Sequence, residues 1–323
     1  MKLRIVHETH YTYTRKVRFG PHRLVLRPRE GHDLRVESMQ VQVTPAATLT
    51  WTRDVFGNSI GTLDFEKTGR ELRIVSNVLV TRTPPYSHRT HDTEPTPWPP
   101  VYDPLEIAVV AAYQQPSYPS DGAAVSHWVR DRSPKHRDDV ELIVRGLNRA
   151  IHDQIHYVRR EEKGVLTPAQ TIKKGVGSCR DFATLLLDAA RSLGIAARFA
   201  SGYLECSAAE AGYASTHAWT EIYLPGHGWR GYDPTLGTKT TSAHVATGLS
   251  NHPRGVMPVT GSYYGPASAF QAMSVSVKLT SEPLDPPAPL TPSNPPAVKP
   301  EVRRKSSPDL RKKPAMKAGK SPR

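Results

Sequence analysis

A glycine-bounded helix constrains this chain more than any other stretch. Gly175 and Gly177 lead into Ser178, and from there Cys179, Phe182, Ala183, Leu186, Ala190 and Leu193 recur at helical spacing until Gly194 stops them. Ser178 and Asp181 form an S-x-x-D pair, the pattern of an N-cap with an acidic side chain at the third helical position. The spacing therefore predicts a helix whose first turn carries Cys179. Unpaired N–H groups and the positive end of the helix dipole meet there, and both favour a thiolate. The apolar face of such a helix needs a partner layer, and the sequence supplies one at once. Residues 195–204, 216–224 and 229–233 read as strands, the last two joined by Pro225-Gly226-His227-Gly228 and the last ended by Pro234. Helices followed by antiparallel strands imply an α+β layered core.

Upstream the period changes to two. Leu3, Ile5 and His7 alternate with Arg4, Val6 and Glu8, and Leu24/Leu26, Val36, Met39/Val41/Val43 and Leu72/Ile74 continue the alternation. Pro28, Gly31-His32-Asp33, Pro45 and Gly69 break it into short strands, and Phe56-Gly57-Asn58 reads as a hairpin turn. Residues 1–83 are thus expected to form an antiparallel β-sandwich. Residues 84–134 are a proline-rich linker with short helices at 105–113 and 122–130. An amphipathic helix is expected over 137–157, with Val140, Ile143, Val144, Leu147, Ile151 and Ile155 as its stripe. Thr167-Pro168 then opens a short helix that Gly175 ends. The core spans 135–281. Residues 282–323 alternate proline with Lys, Arg and Ser, lack the apolar residues for a core, and are expected to be disordered.

Composition narrows the function classes. The net charge is +13 over 323 residues, but the tail's ten Lys/Arg and four Asp/Glu account for +6 of it, so no basic groove is implied. Arg303-Arg304-Lys305 and Arg311-Lys312-Lys313 offer weak contacts to nucleic acid or an anionic surface; a solvated tail explains them equally well. No apolar run approaches the ~18 residues of a membrane span. The polar start has no signal-peptide core, which points to a cytoplasmic protein. Cys179 and Cys206 are the two cysteines, expected as free thiols rather than a disulfide framework.

A cysteine nucleophile needs a base, and the base needs an orienter. His217 opens a strand and shares a face with Trp219 and Glu221; Asp233 ends the next strand. Counting outward from the turn at Gly226-His227 brings the regions of His217 and Asp233 together across the ladder. The candidate site is therefore Cys179 as nucleophile, His217 as base and Asp233 as orienter. Its chemistry requires no cofactor. The blander readings are a buried cysteine, a strand histidine bound to a carbonyl, and a turn aspartate before proline. His152 and His156 imitate the spacing of a zinc helix, but Asp153 stands where the catalytic Glu would be, and a helix-flank role is the better reading.

The same residues carry a family resemblance. Gly-Ser-Cys-Arg-Asp-Phe-Ala (177–183), Ser-Leu-Gly-Ile-Ala-Ala-Arg-Phe-Ala-Ser-Gly-Tyr-Leu (192–204), His-Ala-Trp-Thr-Glu-Ile-Tyr (217–223) and Gly-Trp-Arg-Gly-Tyr-Asp-Pro-Thr (228–235) resemble the bacterial transglutaminase-like superfamily. His22 to Arg29 and Asp54 to Asn58 resemble the β-rich region that often precedes its core, and Pro258 to Gly265 the segment that closes it. The resemblance implies a papain-like core with a triad of Cys179, His217 and Asp233. It implies acyl transfer on a peptide or protein amide through a thioester, resolved by water in an amidase or peptidase, or by an amine in a cross-linking enzyme. An inactive binding scaffold is the remaining alternative. Relatives often carry Gln at the position of Arg180, His at that of Thr184, and Gly-Arg-Asp where Gly248-Leu249-Ser250 stands, departures that bear on substrate preference.

Overall fold

The computed structural model describes residues 2–83, 95–132, 138–160, 164–205 and 215–282. Five strands come first: β1 (Lys2–Leu24), β2 (Leu34–Thr44), β3 (Thr48–Arg53), β4 (Ser59–Asp64) and β5 (Thr68–Arg82). Along β1, Leu3, Ile5, His7 and Thr9 are buried while their neighbours stay partly exposed, the mark of a strand with one covered face. The sheet order is β2-β5-β1-β4-β3, all antiparallel. β1 is long enough to serve two sets of partners. Lys2 to Thr12 pair with β5 and His22 to Leu24 with β4, and the register breaks between Thr12 and Val17. The sheet curls over a core of Tyr13, Phe19, Leu24, Leu63, Leu72 and Ile74, so the layers of the expected sandwich are halves of one sheet.

The proline-rich stretch holds α1 (Ile107–Gln114) and α2 (Gly122–Arg132), the two short helices expected there. Next comes α3 (Val140–Gln154), capped by Asp139, whose carboxylate accepts the Glu141 N–H at 3.0 Å. Val140, Ile143, Val144, Leu147 and Ile151 are fully buried. Each side chain of this kind contributes about 1.5–3 kcal/mol of transfer free energy, offset in part by lost rotamer freedom. The helix ends at Gln154, short of the expected 157, because the chain leaves it as β6 (His156–Tyr157). A capped helix, α4 (Pro168–Lys174), follows, and then β7 (Val176–Gly177), which pairs in parallel with β6. His156 is therefore in a strand and shares no helix face with His152.

The cysteine helix is α5 (Cys179–Arg191). It packs on a second sheet formed by β8 (Ala197–Leu204), β9 (Ser215–Leu224), β10 (Gly228–Asp233), β11 (Thr238–Lys239) and β12 (His244–Ser250), in the order β11-β10-β9-β8-β12. Phe182, Leu185, Leu186 and Ala190 of α5 meet the α3 stripe and Ala218 and Ile222 of β9 in one core, and Thr220 Oγ1–H donates to the Ala183 carbonyl at 2.8 Å. Finally β13 (Val259–Tyr264) and β14 (Phe270–Glu282) return to the first sheet and pair with β1, β14 from Lys2↔Glu282 to Tyr13↔Phe270. Residues 2–83 and 259–282 thus share one sheet, across the division expected at residue 83. Cys206, Arg137 and the basic tail from residue 283 lie outside the described residues. No helix among the described residues is long and apolar enough to cross a membrane.

Candidate active site

The first turn of α5 carries Cys179, partly exposed, as its spacing predicts. Asp181 is fully buried and holds that turn in place. Its Oδ2 accepts the Ser178 N–H and the Ser178 Oγ–H, each at 2.8 Å. The hydroxyl thus donates to the carboxylate, while the Asp181 N–H donates to the Ser178 carbonyl at 2.9 Å. Oδ1 accepts the Leu166 N–H at 2.7 Å, and Arg160 Nη1 lies 2.9 and 2.8 Å from the two carboxylate oxygens. Arg160, not anticipated from the sequence, balances a charge that has no access to water. Gly177 lets β7 pass close by: a Cβ there would lie 3.0 Å from Asp181 Cβ and 3.2 Å from the Phe182 ring. The Cys179 amide stands at the first helical position, where the helix itself offers no acceptor.

His217 and Asp233 meet as the turn suggests, one step off direct opposition. Tyr232 stands opposite Thr220, so Asp233 falls beside Trp219 and His217 is its diagonal neighbour. His217 Nε2–H donates to Asp233 Oδ2 at 2.7 Å. The charge of Cys179, at the start of the helix packed against β9, also acts on the ring. Asp233 Oδ1 accepts the Thr235 and Leu236 amides at 2.8 and 3.3 Å. One carboxylate therefore fills both roles weighed for it, a turn at Asp-Pro and a partner for histidine. The Trp219 ring stacks on His217, with centroids 6.4 Å apart and planes at 27°, and is itself buried.

The sequence reading missed His244, the first residue of β12. Its Nε2–H donates to Asp233 Oδ2 at 3.1 Å, and the Thr241 N–H donates to its Nδ1, also at 3.1 Å. The ring packs edge-on against Trp219 at 5.2 Å. Tyr157 was also missed as a site residue. It stands opposite Gly177 in the β6–β7 pair, with its ring edge on Phe182. Burial, and then the charge of Cys179, push its phenol up. His152 donates from Nδ1 to the Thr235 carbonyl at 2.9 Å and so braces the turn after Asp233.

The charges of the buried pair support each other. Burial opposes a charged His217, but hydrogen bonds to Asp233 and Cys179, with their charges, push it up to about 10. Burial likewise opposes a charged Asp233, and the hydrogen bonds from His217 and His244 hold it well below the usual carboxylate range. His217, Asp233 and His244 could present a metal with two imidazole nitrogens and one carboxylate oxygen within 4.8 Å of one another. Both Nε2 atoms lie within hydrogen-bond distance of Asp233 Oδ2, at 2.7 and 3.1 Å.

Residues 3–81 match the model of the bacterial transglutaminase-like N-terminal region, and residues 127–234 match that of the transglutaminase-like superfamily. The second match takes in Cys179, His217 and Asp233, and the two together cover more than half of the chain. The chain belongs to the transglutaminase-like superfamily. It is 24% identical over 272 residues to an uncharacterized protein of Mycobacterium leprae, covering 82% of this chain and 94% of that one. It is 26% identical over 285 residues to an uncharacterized protein of Mycobacterium tuberculosis, covering 81% and 88%. Among solved structures it is similar to a Cytophaga hutchinsonii protein named as a candidate cysteine protease, with a TM-score of 0.68, 17% identity, and coverage of 88% and 93%. That likeness establishes the transglutaminase-like fold of the chain from the curled sheet through the core.

Proposed function

We propose that this superfamily member is a cysteine-dependent acyl-transfer enzyme that hydrolyses amide or peptide bonds. The observation that carries the reading is the buried imidazole of His217, bound to Asp233 at 2.7 Å, with Cys179 at the start of the helix that packs against its strand. His217 holds the proton given up by the thiol, and the sulfur attacks the carbonyl carbon. The Cys179 N–H, at the first position of the helix, donates to the developing oxyanion. As the tetrahedral intermediate collapses, the C–N bond breaks, His217 returns the proton to the leaving amine, and a thioester remains. Water then attacks the thioester with His217 as base, and the carboxylic acid leaves as the thiol re-forms. Asp233 fixes the ring's tautomer and its charge throughout.

Water is the acceptor in this reading because it needs no second binding site, whereas a transferred amine does. The Cytophaga hutchinsonii protein of the same fold is itself named as a candidate protease. The substrate class is a peptide or protein amide. The location is cytoplasmic, where a nucleophilic thiol stays reduced; cell fractionation tests this. To test the chemistry, a Gln-bearing peptide is offered with a labelled primary amine. Ammonia release without label incorporation is the expected result. Incorporation would make the enzyme a cross-linking one, and full turnover by Cys179→Ala would end the proposal.

A further inference from the structure

Asp233 Oδ2 serves two histidines, and the mechanism above uses one of them. The second, His244, has 4% side-chain exposure, and its tautomer is fixed by its surroundings. The Thr241 N–H points at Nδ1, which must therefore offer a lone pair, so the proton sits on Nε2 and is directed at the carboxylate. Small residues let it reach this far. His244 starts the edge strand β12, and β8 lies between β12 and β9 with Gly202 opposite His217 and Ala200 opposite Trp219. A Cβ on Gly202 would stand 2.0 Å from the Val245 carbonyl oxygen. The glycine therefore allows β12 to close in, and the His244 ring packs edge-on against Trp219 and reaches Asp233.

We infer that His244 is a positioning residue for the proposed reaction: it pins Asp233 Oδ2 and shares the carboxylate charge that would otherwise fall on His217 alone. The inference rests on the acyl-transfer reading. Its chemical sense lies in the return of the proton. An imidazolium held by an undivided carboxylate is a weak acid toward a leaving amine, and a second donor on the same oxygen makes it a stronger one. The titratable and charged groups facing the pair are Cys179 from α5, Asp233 from β10 and Tyr157 from β6, with Arg159 and Arg180 acting on Tyr157.

The test uses the full chain and two readouts. Iodoacetamide alkylation of Cys179 is followed against pH in the wild type, in His244→Phe, which keeps a ring but no donor, and in His244→Gln, which keeps a donor. The upper inflection, set by His217, is expected to rise by about half to one pH unit in His244→Phe and to return toward the wild type in His244→Gln. Independently, nitrogen-15 shifts of the wild-type histidines should find His244 neutral with the proton on Nε2. A His244→Phe profile that overlays the wild type or moves down overturns the inference, as does a His244 proton on Nδ1. If His244→Phe fails to fold, the wild-type tautomer decides alone. Wild-type Cys179 that resists alkylation until the alkaline range would instead refute the acyl-transfer reading itself.

Discussion

Replacing Asp181 by alanine removes at a stroke the carboxylate that clamps the start of α5. It accepts from the Ser178 amide and hydroxyl, from the Leu166 amide, and from Arg160 at both oxygens. Asp181 has no exposure and Arg160 only 15%, so a guanidinium that loses this carboxylate regains little hydration. Breaking one partner out of a buried ion pair costs about 3–5 kcal/mol. The amides that lose an acceptor raise the cost, about 1–3 kcal/mol each at most, though the losses overlap and do not add. A loss of about 3–5 kcal/mol is a large part of the ~5–15 kcal/mol available to a folded domain. With a urea m-value of about 3 kcal/mol/M, the midpoint should fall by roughly 1–1.7 M. Equilibrium unfolding followed by tryptophan fluorescence measures it. The double variant Asp181→Ala/Arg160→Leu should regain at least ~1 kcal/mol over Asp181→Ala, because it removes the stranded charge. A single variant within ~1 kcal/mol of the wild type, or a double variant no better than the single one, would refute the reasoning.

Other outcomes follow from the same geometry. Cys179→Ala and His217→Ala should abolish turnover, whereas Asp233→Ala should leave a residual rate, with kcat down on the order of 10²- to 10⁴-fold in a peptide-hydrolysis assay. His217 is raised on folding, so its contribution to stability is full below about pH 6.5 and is lost as pH rises toward about 10. Asp233 is lowered, so its contribution is present above about pH 4 and is lost on further acidification. Thermal midpoints measured from pH 3 to 11 should fall at both ends, and His217→Gln should flatten the alkaline fall. Gly202→Ala puts a methyl group against the Val245 carbonyl and should cost about 1–3 kcal/mol in urea unfolding while slowing Cys179 alkylation.

The parts of the site that were legible in the sequence are those set by local rules. Cys179 could be placed because Ser178, Asp181 and the apolar spacing through Ala190 act within one helix. His217 and Asp233 could be paired because a tight turn fixes strand register, and counting from it brings their regions together, with His217 the diagonal neighbour of Asp233. Arg160 and His244 were not legible. Arg160 reaches Asp181 over 21 residues, and His244, 11 residues from Asp233, reaches it from an edge strand that β8 and β9 separate from β10 and whose register shifts between Ala246 and Gly248. The end of α3 was misread for a related reason. Ile155 continues the apolar stripe, but the pairing of His156 with Val176, invisible to helical periodicity, takes the chain out of the helix. The first sheet was legible strand by strand, while its completion by β13 and β14 depends on residues some 250 positions away.

That completion has a consequence for how the polypeptide is made. Lys2 to Tyr13 find β5 on one side early in synthesis, but on the other side they wait for Phe270 to Glu282. At about 5–20 residues per second, a ribosome takes roughly 15–60 s to cover that interval. Throughout it, an alternating hydrophobic strand presents an unprotected row of amides and carbonyls to every other nascent chain in reach. Shielding of that edge by a chaperone, or slow translation at low temperature, should therefore govern the yield of native protein more than any property of the finished molecule.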